Sequence, residues 1–284
     1  MFLTLLHVSD LHFGPPYVPA IGEALLRSAA ELRPDIVVAS GDFTQRAKPE
    51  QFAAAREFLH ALPPVPLVTT PGNHDIPLYR VGERLWQPYA RYQEFISPQL
   101  ESTLDAGGAV IVAINTTDPL RRIKNGRIRR EQIDYCEEAF RRATPGKARI
   151  VVAHHHFAPA PDYDNAGDVM PRARRALDRF SRMEVDMILG GHLHRGYIGN
   201  SLDVHPGPDR SSGIVIVQCG TSTSQRGRAR EREKNSFNVI KIGEDVVRIT
   251  HYMHFSERNR FEPVSRHIFP RRHRRYFVDH HAHE

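Results

Sequence analysis

Five short motifs built from metal-binding residue types occur along this chain of 284 residues. Each follows an apolar run of the kind that forms a buried strand, so each is expected at the carboxyl end of a strand. Carboxylate, imidazole and amide side chains are ligands for divalent metals, and loops at strand ends bring such groups together. The motifs are Asp10-Leu11-His12, Gly41-Asp42, Gly72-Asn73-His74-Asp75, His154-His155-His156 and Gly191-His192-Leu193-His194.

A count of the candidate ligands indicates more than one metal ion. The set contains four imidazoles, two carboxylates and one amide, which exceeds a single tetrahedral zinc site. Mixed nitrogen and oxygen ligation favours Mn, Fe or Zn over Mg or Ca. We therefore expect two divalent or trivalent ions that share a carboxylate, the arrangement used for in-line displacement at phosphorus. The candidate ligands are Asp10, His12, Asp42, Asn73, His154, His192 and His194.

The motifs differ in how specific they are. An isolated Asp-x-His or Gly-Asp pair is weak evidence, because Gly-Asp is commonly an ordinary turn or helix cap. The segment 72–75 is more specific, since Asn73 offers an uncharged amide oxygen and His74 can donate a proton. Asp75 could orient the His74 ring or cap the next segment. Two imidazoles at 192 and 194, directly after two glycines, are poorly explained as ordinary core histidines.

The segments between the motifs predict an α/β protein. Apolar periodicity predicts strands over 3–8, 36–39 and 65–68, with helices over 21–32 and 50–62 between them. This β-α-β-α-β order requires a parallel or mixed sheet that is covered on both faces. Further strands are expected at 109–115, 150–153 and 187–189, helices at 130–142 and 172–183, and antiparallel strands at 214–219, 236–242 and 246–255.

Two segments depart from this pattern. Residues 76–102 are rich in aromatic side chains and are predicted to form a helical insertion, whose aromatics build a small satellite core and not a base-stacking platform. The domain is expected to span 1–256. Residues 257–284 are assigned to a basic, histidine-rich tail, and the polar end 271–284 is expected to be disordered or loosely docked.

The overall composition indicates which classes of substrate or partner the protein could bind. A net charge of +6 fits an anionic small-molecule substrate without indicating nucleic acid. The basic stretch 226–234 is interleaved with glutamates, lacks an aromatic residue for base stacking, and is predicted to be an exposed loop. Cys136 and Cys219 are too few for a disulfide framework, which favours reduced thiols in a cytoplasmic protein. The apolar start reads as a strand and not as a signal peptide, and no apolar run reaches the roughly 18 residues of a transmembrane segment.

Taken in order, the motifs DLH, GDFTQR, GNHD, HHH and GHLH resemble those of the calcineurin-like metallophosphoesterase superfamily, and most closely its bacterial cyclic-nucleotide phosphodiesterase type. The resemblance implies a four-layer α/β/β/α sandwich of two mixed sheets. It assigns one metal to Asp10, His12, Asp42 and His194, and a second to Asp42, Asn73, His154 and His192. A hydroxide shared by the metals would attack phosphorus. His74 would then stabilise or protonate the leaving oxygen, with its imidazole held by Asp75.

Several assignments stay open at this level. The superfamily often has His-His-Pro where this chain has a histidine triplet before Phe157, so His154 is the expected ligand and His155 the alternative. His156 is expected to face substrate or solvent. Arg46 would face either a phosphate or solvent. Asn115 is expected at most to contact the metal ligands, without binding a metal itself.

Three functions are compatible with the motifs. The first is hydrolysis of phosphodiesters such as 3′,5′-cyclic nucleotides. The second is cleavage of the pyrophosphate in a nucleotide-linked lipid precursor, and the third is a non-catalytic scaffold, which would show gaps in the ligand set. The loops 76–102, 158–171 and 196–212, which we expect to select the substrate, contain no motif that identifies it, and the oligomeric state is equally unspecified.

Overall fold

Two mixed β-sheets of six strands each organise the chain. The computed structural model describes residues 2–120, 124–159, 169–203, 205, 213–228 and 231–271. In spatial order, the first sheet consists of β12 (Arg260–Pro270), β11 (Val246–Phe255), β10 (Ser236–Ile242), β1 (Leu3–Val8), β2 (Ile36–Ala39) and β3 (Leu67–Thr69). The second consists of β4 (Ser102–Ala106), β5 (Ala109–Ala113), β6 (Ala148–Val152), β7 (Met187–Gly190), β9 (Val215–Gln218) and β8 (Tyr197–Asn200).

Each sheet has a parallel centre and antiparallel edges. Strands β1, β2 and β3 run parallel to one another, as do β5, β6, β7 and β9. Strands β10, β11 and β12 extend the first sheet in antiparallel pairs, and β4 and β8 flank the second. The carboxyl ends of the parallel strands therefore meet at one edge of each sheet, which is where the five motifs begin.

Alternating apolar residues bury both faces of the central strands. In β1, Leu6 and Val8 pack toward one side while Leu5 packs toward the other, as the twofold side-chain repeat of a strand requires. The cluster around Leu5 contains residues from both sheets and forms the core between them. This two-sided burial explains why these strands are continuous apolar runs.

Helices cover the outer faces of both sheets. Helices α1 (Pro19–Leu32) and α2 (Pro49–Ala61) pack on the first sheet, and α5 (Arg130–Arg141) and α6 (Ala173–Arg182) pack on the second. Both α1 and α2 begin at a proline, which suits the first helical turn because its missing N–H would have had no helical partner. The result is the four-layer α/β/β/α sandwich of two mixed sheets that was expected.

The predicted insertion contains two short helices with different surroundings. In α4 (Ala90–Phe95), Tyr92 is fully buried, and the Phe95 ring stacks on Phe52 of α2 at 6.3 Å. This helix therefore joins the main core of the first sheet and does not form a separate satellite. Helix α3 (Val81–Trp86) instead leaves its side chains accessible, and Trp86 is 80% exposed.

Several strands differ from the sequence-based expectation. Strand β9 is parallel to β7 and antiparallel only to β8, so the antiparallel assignment of 214–219 was wrong for the pairing with β7. Strands β4, β8 and β12 were not predicted, because they are short or partly exposed edge strands without a clear apolar alternation. Strand β12 pairs with β11 along its length and carries the sheet past residue 256, where the domain had been expected to end. Residues 272–284 of the predicted tail lie outside the described residues.

Candidate metal centre

The five motifs converge where the two sheets present the carboxyl ends of their parallel strands. A hydrogen bond between His154 Nδ1 and the Ser40 carbonyl (2.8 Å) joins the loop after β6 to the loop after β2. A second, from the His192 amide to Asp10 Oδ2 (2.9 Å), joins the loop after β7 to the loop after β1. The site is therefore shared between the two sheets, although Asp10 and His192 are 182 positions apart in the chain.

Left-handed backbone conformations mark this edge. Non-glycine residues seldom adopt a positive φ, because Cβ then crowds the backbone. Five of the seven expected ligands do so: Asp10 (54°), His12 (51°), Asp42 (57°), His192 (74°) and His194 (54°). Such a concentration of strained residues indicates that the loops are shaped to aim these side chains inward.

One group of side chains gathers around Asp10. Ligand atoms of Asp10, His12, Asp42 and His194 all lie within 4.8 Å of one another, and all four residues are buried. The His12 and His194 Nε2 atoms are 3.0 Å apart, and His194 Nε2 is 3.2 Å from Asp10 Oδ1. Two nitrogens that bind one metal at right angles, with bonds of about 2.1 Å, lie about 3.0 Å apart. The spacing fits a shared cation.

A second group gathers on the other side of Asp42. Asn73 Oδ1 lies 2.9 Å from His192 Nδ1 and 3.2 Å from His154 Nε2. Asp42 Oδ2 is 3.4 Å from His154 Nε2 and 3.7 Å from His12 Nε2, so this one oxygen faces both groups. The two groups together contain all seven expected ligands, with Asp42 between them.

The electrostatics of the cluster favour cations. Asp10 Oδ1 and Asp42 Oδ2 are buried and accept no hydrogen bond within the described part of the chain. A buried carboxylate oxygen is costly unless a positive charge compensates it. Burial acts to lower the pKa of His154, but the neighbouring Asp42 carboxylate outweighs it and raises that pKa to about 9. The donor set and its field thus fit divalent metals.

Two glycines allow the loops to approach the carboxylates. A Cβ on Gly72 would lie 2.2 Å from Asp42 Oδ1, and one on Gly191 would lie 2.5 Å from Asp10 Oδ2. Both distances are shorter than any tolerable contact, so a larger residue would displace the motif. The first residues of the Gly-Asn-His-Asp and Gly-His-Leu-His motifs therefore have to be glycines for the loops to approach the carboxylates this closely.

His74 lies beside the cluster, but a different group from the expected one holds it. Its Nδ1 donates to the carbonyl of Gln45 (3.0 Å), and its ring contacts the His12 ring edge-on at 4.8 Å. The Asp75 carboxylate instead accepts hydrogen bonds from the amides of Thr44 (2.9 Å) and Gly72 (2.9 Å). The expectation that Asp75 holds the His74 imidazole was wrong, because Asp75 turns back to fasten the loops after β2 and β3 together.

The three consecutive histidines have distinct surroundings. His154 points its Nε2 at Asp42 and Asn73, while Nδ1 is fixed by a carbonyl. His155 turns to Thr116, whose Oγ1 lies 2.8 Å from its Nδ1. His156 lines the pocket in front of the cluster, with its ring stacked on that of His192 at 5.7 Å. This geometry favours His154 over His155 as the ligand.

Two weaker sequence candidates lie away from the cluster. Arg46 is exposed and lies over the Tyr79 ring at 4.9 Å. Asn115 is buried, and its Oδ1 accepts hydrogen bonds from the amide (2.9 Å) and hydroxyl (2.6 Å) of Thr117. Neither contact involves a metal-ligand candidate. Asn115 shapes its own loop, and Arg46 contacts the predicted insertion.

A pocket of about 650 Å³ opens directly onto the metal-ligand candidates. Basic side chains from distant parts of the sequence line it, which gives an anionic substrate a favourable field. Sequence reasoning missed Arg226, because the stretch 226–234 had been read as an exposed loop. Residues 229–230 of that stretch lie outside the described residues. The basic residues of the pocket are Lys124, Arg195, Arg226 and Arg228.

The architecture and motifs match a known family. The model of the calcineurin-like phosphoesterase family matches residues 3–196, which is more than half of the chain and includes all five motifs. The chain belongs to the calcineurin-like phosphoesterase family. As a member of this family of metal-dependent enzymes, the protein is a phosphoester hydrolase, and the non-catalytic scaffold expectation is set aside.

Curated relatives have bacterial cyclic-nucleotide phosphodiesterase names. The chain is 28% identical over 264 residues to a cAMP/cGMP dual specificity phosphodiesterase of Mycobacterium tuberculosis, covering 86% of this chain and 77% of the relative. It is 24% identical over 210 residues to a probable cyclic nucleotide phosphodiesterase of Synechococcus, covering 70% and 76% respectively.

Solved structures share the fold. A purple acid phosphatase from yellow lupin superposes with a TM-score of 0.69 at 15% identity, and the match covers 95% of this chain but only 54% of the lupin chain. A PhoD structure superposes with a TM-score of 0.65 at 13% identity, covering 93% and 72%. At these identities the superpositions show the sandwich fold alone. Within the described residues, no helix is both long and apolar enough to span a membrane.

Proposed function

We propose that this protein is a dinuclear metal-dependent phosphodiesterase that hydrolyses small phosphodiesters such as 3′,5′-cyclic nucleotides. The observation that carries the proposal is the position of Asp42 Oδ2, which faces His12 in one ligand group and His154 in the other. A carboxylate in this position suits a pair of metals. The names of the bacterial relatives support the choice of a cyclic nucleotide.

In this proposal the two groups of ligands hold one ion each. Asp10, His12, Asp42 and His194 would hold the first, and Asp42, Asn73, His154 and His192 the second. Mixed nitrogen and oxygen donors suit Mn, Fe or Zn. When bound, such a pair activates water at neutral pH and neutralises charge on the phosphate.

His74 is the proposed acid for the leaving oxygen. Because a carbonyl can only accept, the Gln45 contact fixes the Nδ1 proton and leaves Nε2 as the nitrogen that exchanges a proton. Burial lowers the pKa of His74 below its ordinary 6.5, so its imidazolium is a stronger acid toward a leaving alkoxide but is the minority form at neutral pH. Asp75 acts in this scheme by keeping the loops of Asp42 and His74 together.

The pocket is compatible with a small nucleotide. Its volume of about 650 Å³ lies within the usual range for small-molecule sites, roughly 300–1,000 Å³. Its basic lining complements a phosphate. Both cysteines are buried and free, which accords with the cytoplasmic location that we also propose.

A substrate panel tests the proposal. Mn²⁺-loaded protein would be assayed on cyclic AMP, bis(p-nitrophenyl) phosphate, p-nitrophenyl phosphate and a nucleotide-diphospho compound. We expect kcat/KM for the diesters to exceed that for the monoester by about tenfold or more, a difference of about 1.4 kcal/mol in transition-state stabilisation. A preference for the monoester, or cleavage of the diphospho compound alone, would refute the proposed function.

A further inference from the structure

The loop after β9 brings an arginine to the catalytic face of the pocket. Thr221 Oγ1 donates to the carbonyl of Asp10 (2.7 Å), and Thr223 Oγ1 donates to the carbonyl of Leu11 (2.9 Å). Further along, the Arg228 amide donates to the carbonyl of His194 (3.0 Å). The loop is thus fastened to the backbone of two proposed metal-ligand motifs, and its side chains have defined positions relative to them.

Arg226 is held at this face by Gln45. Its Nη1 donates to Gln45 Oε1 (2.9 Å), while the carbonyl of the same Gln45 accepts from His74 Nδ1 (3.0 Å). One residue therefore positions both the guanidinium and the imidazole. Arg226 is partly buried and lines the same pocket as Asp42, Asn73 and His74.

We propose that Arg226 binds the phosphoryl group of the substrate beside His74. This inference rests on the proposed phosphodiesterase function. A guanidinium has five N–H donors, and among the described residues only Nη1 has a hydrogen-bond partner, so the others are available to a ligand. Arginine pairs with phosphate oxygens through two parallel hydrogen bonds, and partial burial strengthens that contact.

The position of Arg226 also predicts which step it serves. Because its guanidinium is fixed beside His74, the paired contact would turn the leaving oxygen toward that imidazole. Arg226 is therefore inferred to orient the phosphate relative to His74.

Three variants test whether the Arg226 guanidinium itself binds the phosphoryl group. Arg226→Met removes the guanidinium but keeps a similar apolar length. Arg232→Met is the matched control, since Arg232 is an exposed residue six positions along the chain that does not line the pocket. Gln45→Ala removes the Arg226–Gln45 hydrogen bond but keeps the Arg226 guanidinium in the protein.

Two measurements are made on the Mn²⁺-loaded proteins. The first is kcat/KM on bis(p-nitrophenyl) phosphate, and the second is the Kd of inorganic phosphate by calorimetry, which needs no turnover. We expect Arg226→Met to lower kcat/KM roughly 100-fold, the usual scale for one lost transition-state donor, and to weaken phosphate binding at least tenfold. Arg232→Met should stay within about twofold of wild type for both, and Gln45→Ala should lose less than Arg226→Met.

The outcomes divide cleanly. Unchanged phosphate affinity in Arg226→Met would overturn the inference, even if activity fell. A larger loss of phosphate affinity in Gln45→Ala than in Arg226→Met would also overturn it, because Gln45 and not the guanidinium would then account for the binding. If wild-type protein binds phosphate but cleaves no diester, the proposed function fails, while the phosphate measurement still decides the role of Arg226.

Discussion

Replacing Asp42 by asparagine should remove the second metal before the first. The substitution keeps the size of the side chain and an oxygen acceptor, but it removes the charge that both ligand groups share. The first group retains the Asp10 carboxylate, whereas the second would contain only the neutral side chains of Asn73, His154 and His192. The second site therefore loses its only carboxylate, whereas the first site keeps one.

The size of the effect follows from the burial of Asp42. Its carboxylate is 0% exposed, so solvent does not screen it. A pair of unit charges 4 Å apart contributes about 4 kcal/mol at an effective dielectric constant of about 20, which is a lower bound for a carboxylate that binds a divalent ion directly. That energy corresponds to a roughly thousandfold weaker affinity. We expect the second ion to be absent at micromolar metal and the diesterase activity to fall about 1,000-fold or more.

The assay is metal stoichiometry measured together with activity. Wild-type protein, Asp42→Asn and the control Asp178→Asn would be reconstituted with Mn²⁺, freed of excess metal and analysed by mass spectrometry of the metal. Asp178 lies on the exposed face of α6, so its replacement should leave two ions per chain. Two ions retained by a folded Asp42→Asn protein, or activity within tenfold of wild type, would refute the shared-carboxylate reasoning.

Three further predictions concern bound metal, His74 and the Glu231–His251 ion pair. Chelation should abolish activity and lower the melting temperature. Mn²⁺ at about 100 times its Kd should then raise the free energy of unfolding by about 2.7 kcal/mol. A melting curve that chelator does not change would contradict this prediction. His74→Ala should lower kcat roughly 100-fold or more, with a larger loss for substrates with poor leaving groups, and equal losses across leaving groups would exclude an acid role. Burial acts to raise the pKa of Glu231, but its hydrogen bond and ion pair with His251 outweigh it and hold the pKa below the ordinary 4.5. The contribution of the Glu231 carboxylate to stability is therefore present above pH 4.5 and is lost as pH falls through the folded-state pKa. The melting temperatures of wild type and Glu231→Gln should then converge in acid. A constant difference between the two melting temperatures from pH 7 to pH 3 would contradict this prediction.

The sequence predicts the centre of the fold better than its edges. Strands such as β1 and β2 are apolar on both faces because helices and a second sheet cover them, so local composition reports their state directly. Strand β12 is an exposed edge strand whose existence depends on its pairing with β11. No local pattern distinguishes it from a polar tail, which is why the domain end was placed too early.

The candidate site, like the fold, could be predicted from the sequence only in part. The metal-ligand candidates could be named from the sequence because each lies in a short motif after a strong strand, and parallel strands bring such motifs to one edge. The partners of His74, Asp75 and Arg226 could not be named. Each depends on contacts between loops that lie far apart in the chain, such as the one between Gln45 and Arg226, which are 181 positions apart.

Residue types and strand periodicity were enough to predict the candidate ligands and an α/β protein, and the resemblance of the five motifs to a known family implied the sandwich fold. The folded chain was needed to show that Asp75 fastens two loops instead of orienting His74, and that Arg226 reaches the pocket. The physical reason is that side-chain direction at a strand end is set by loop backbone. Here that backbone adopts left-handed conformations that no apolar pattern encodes.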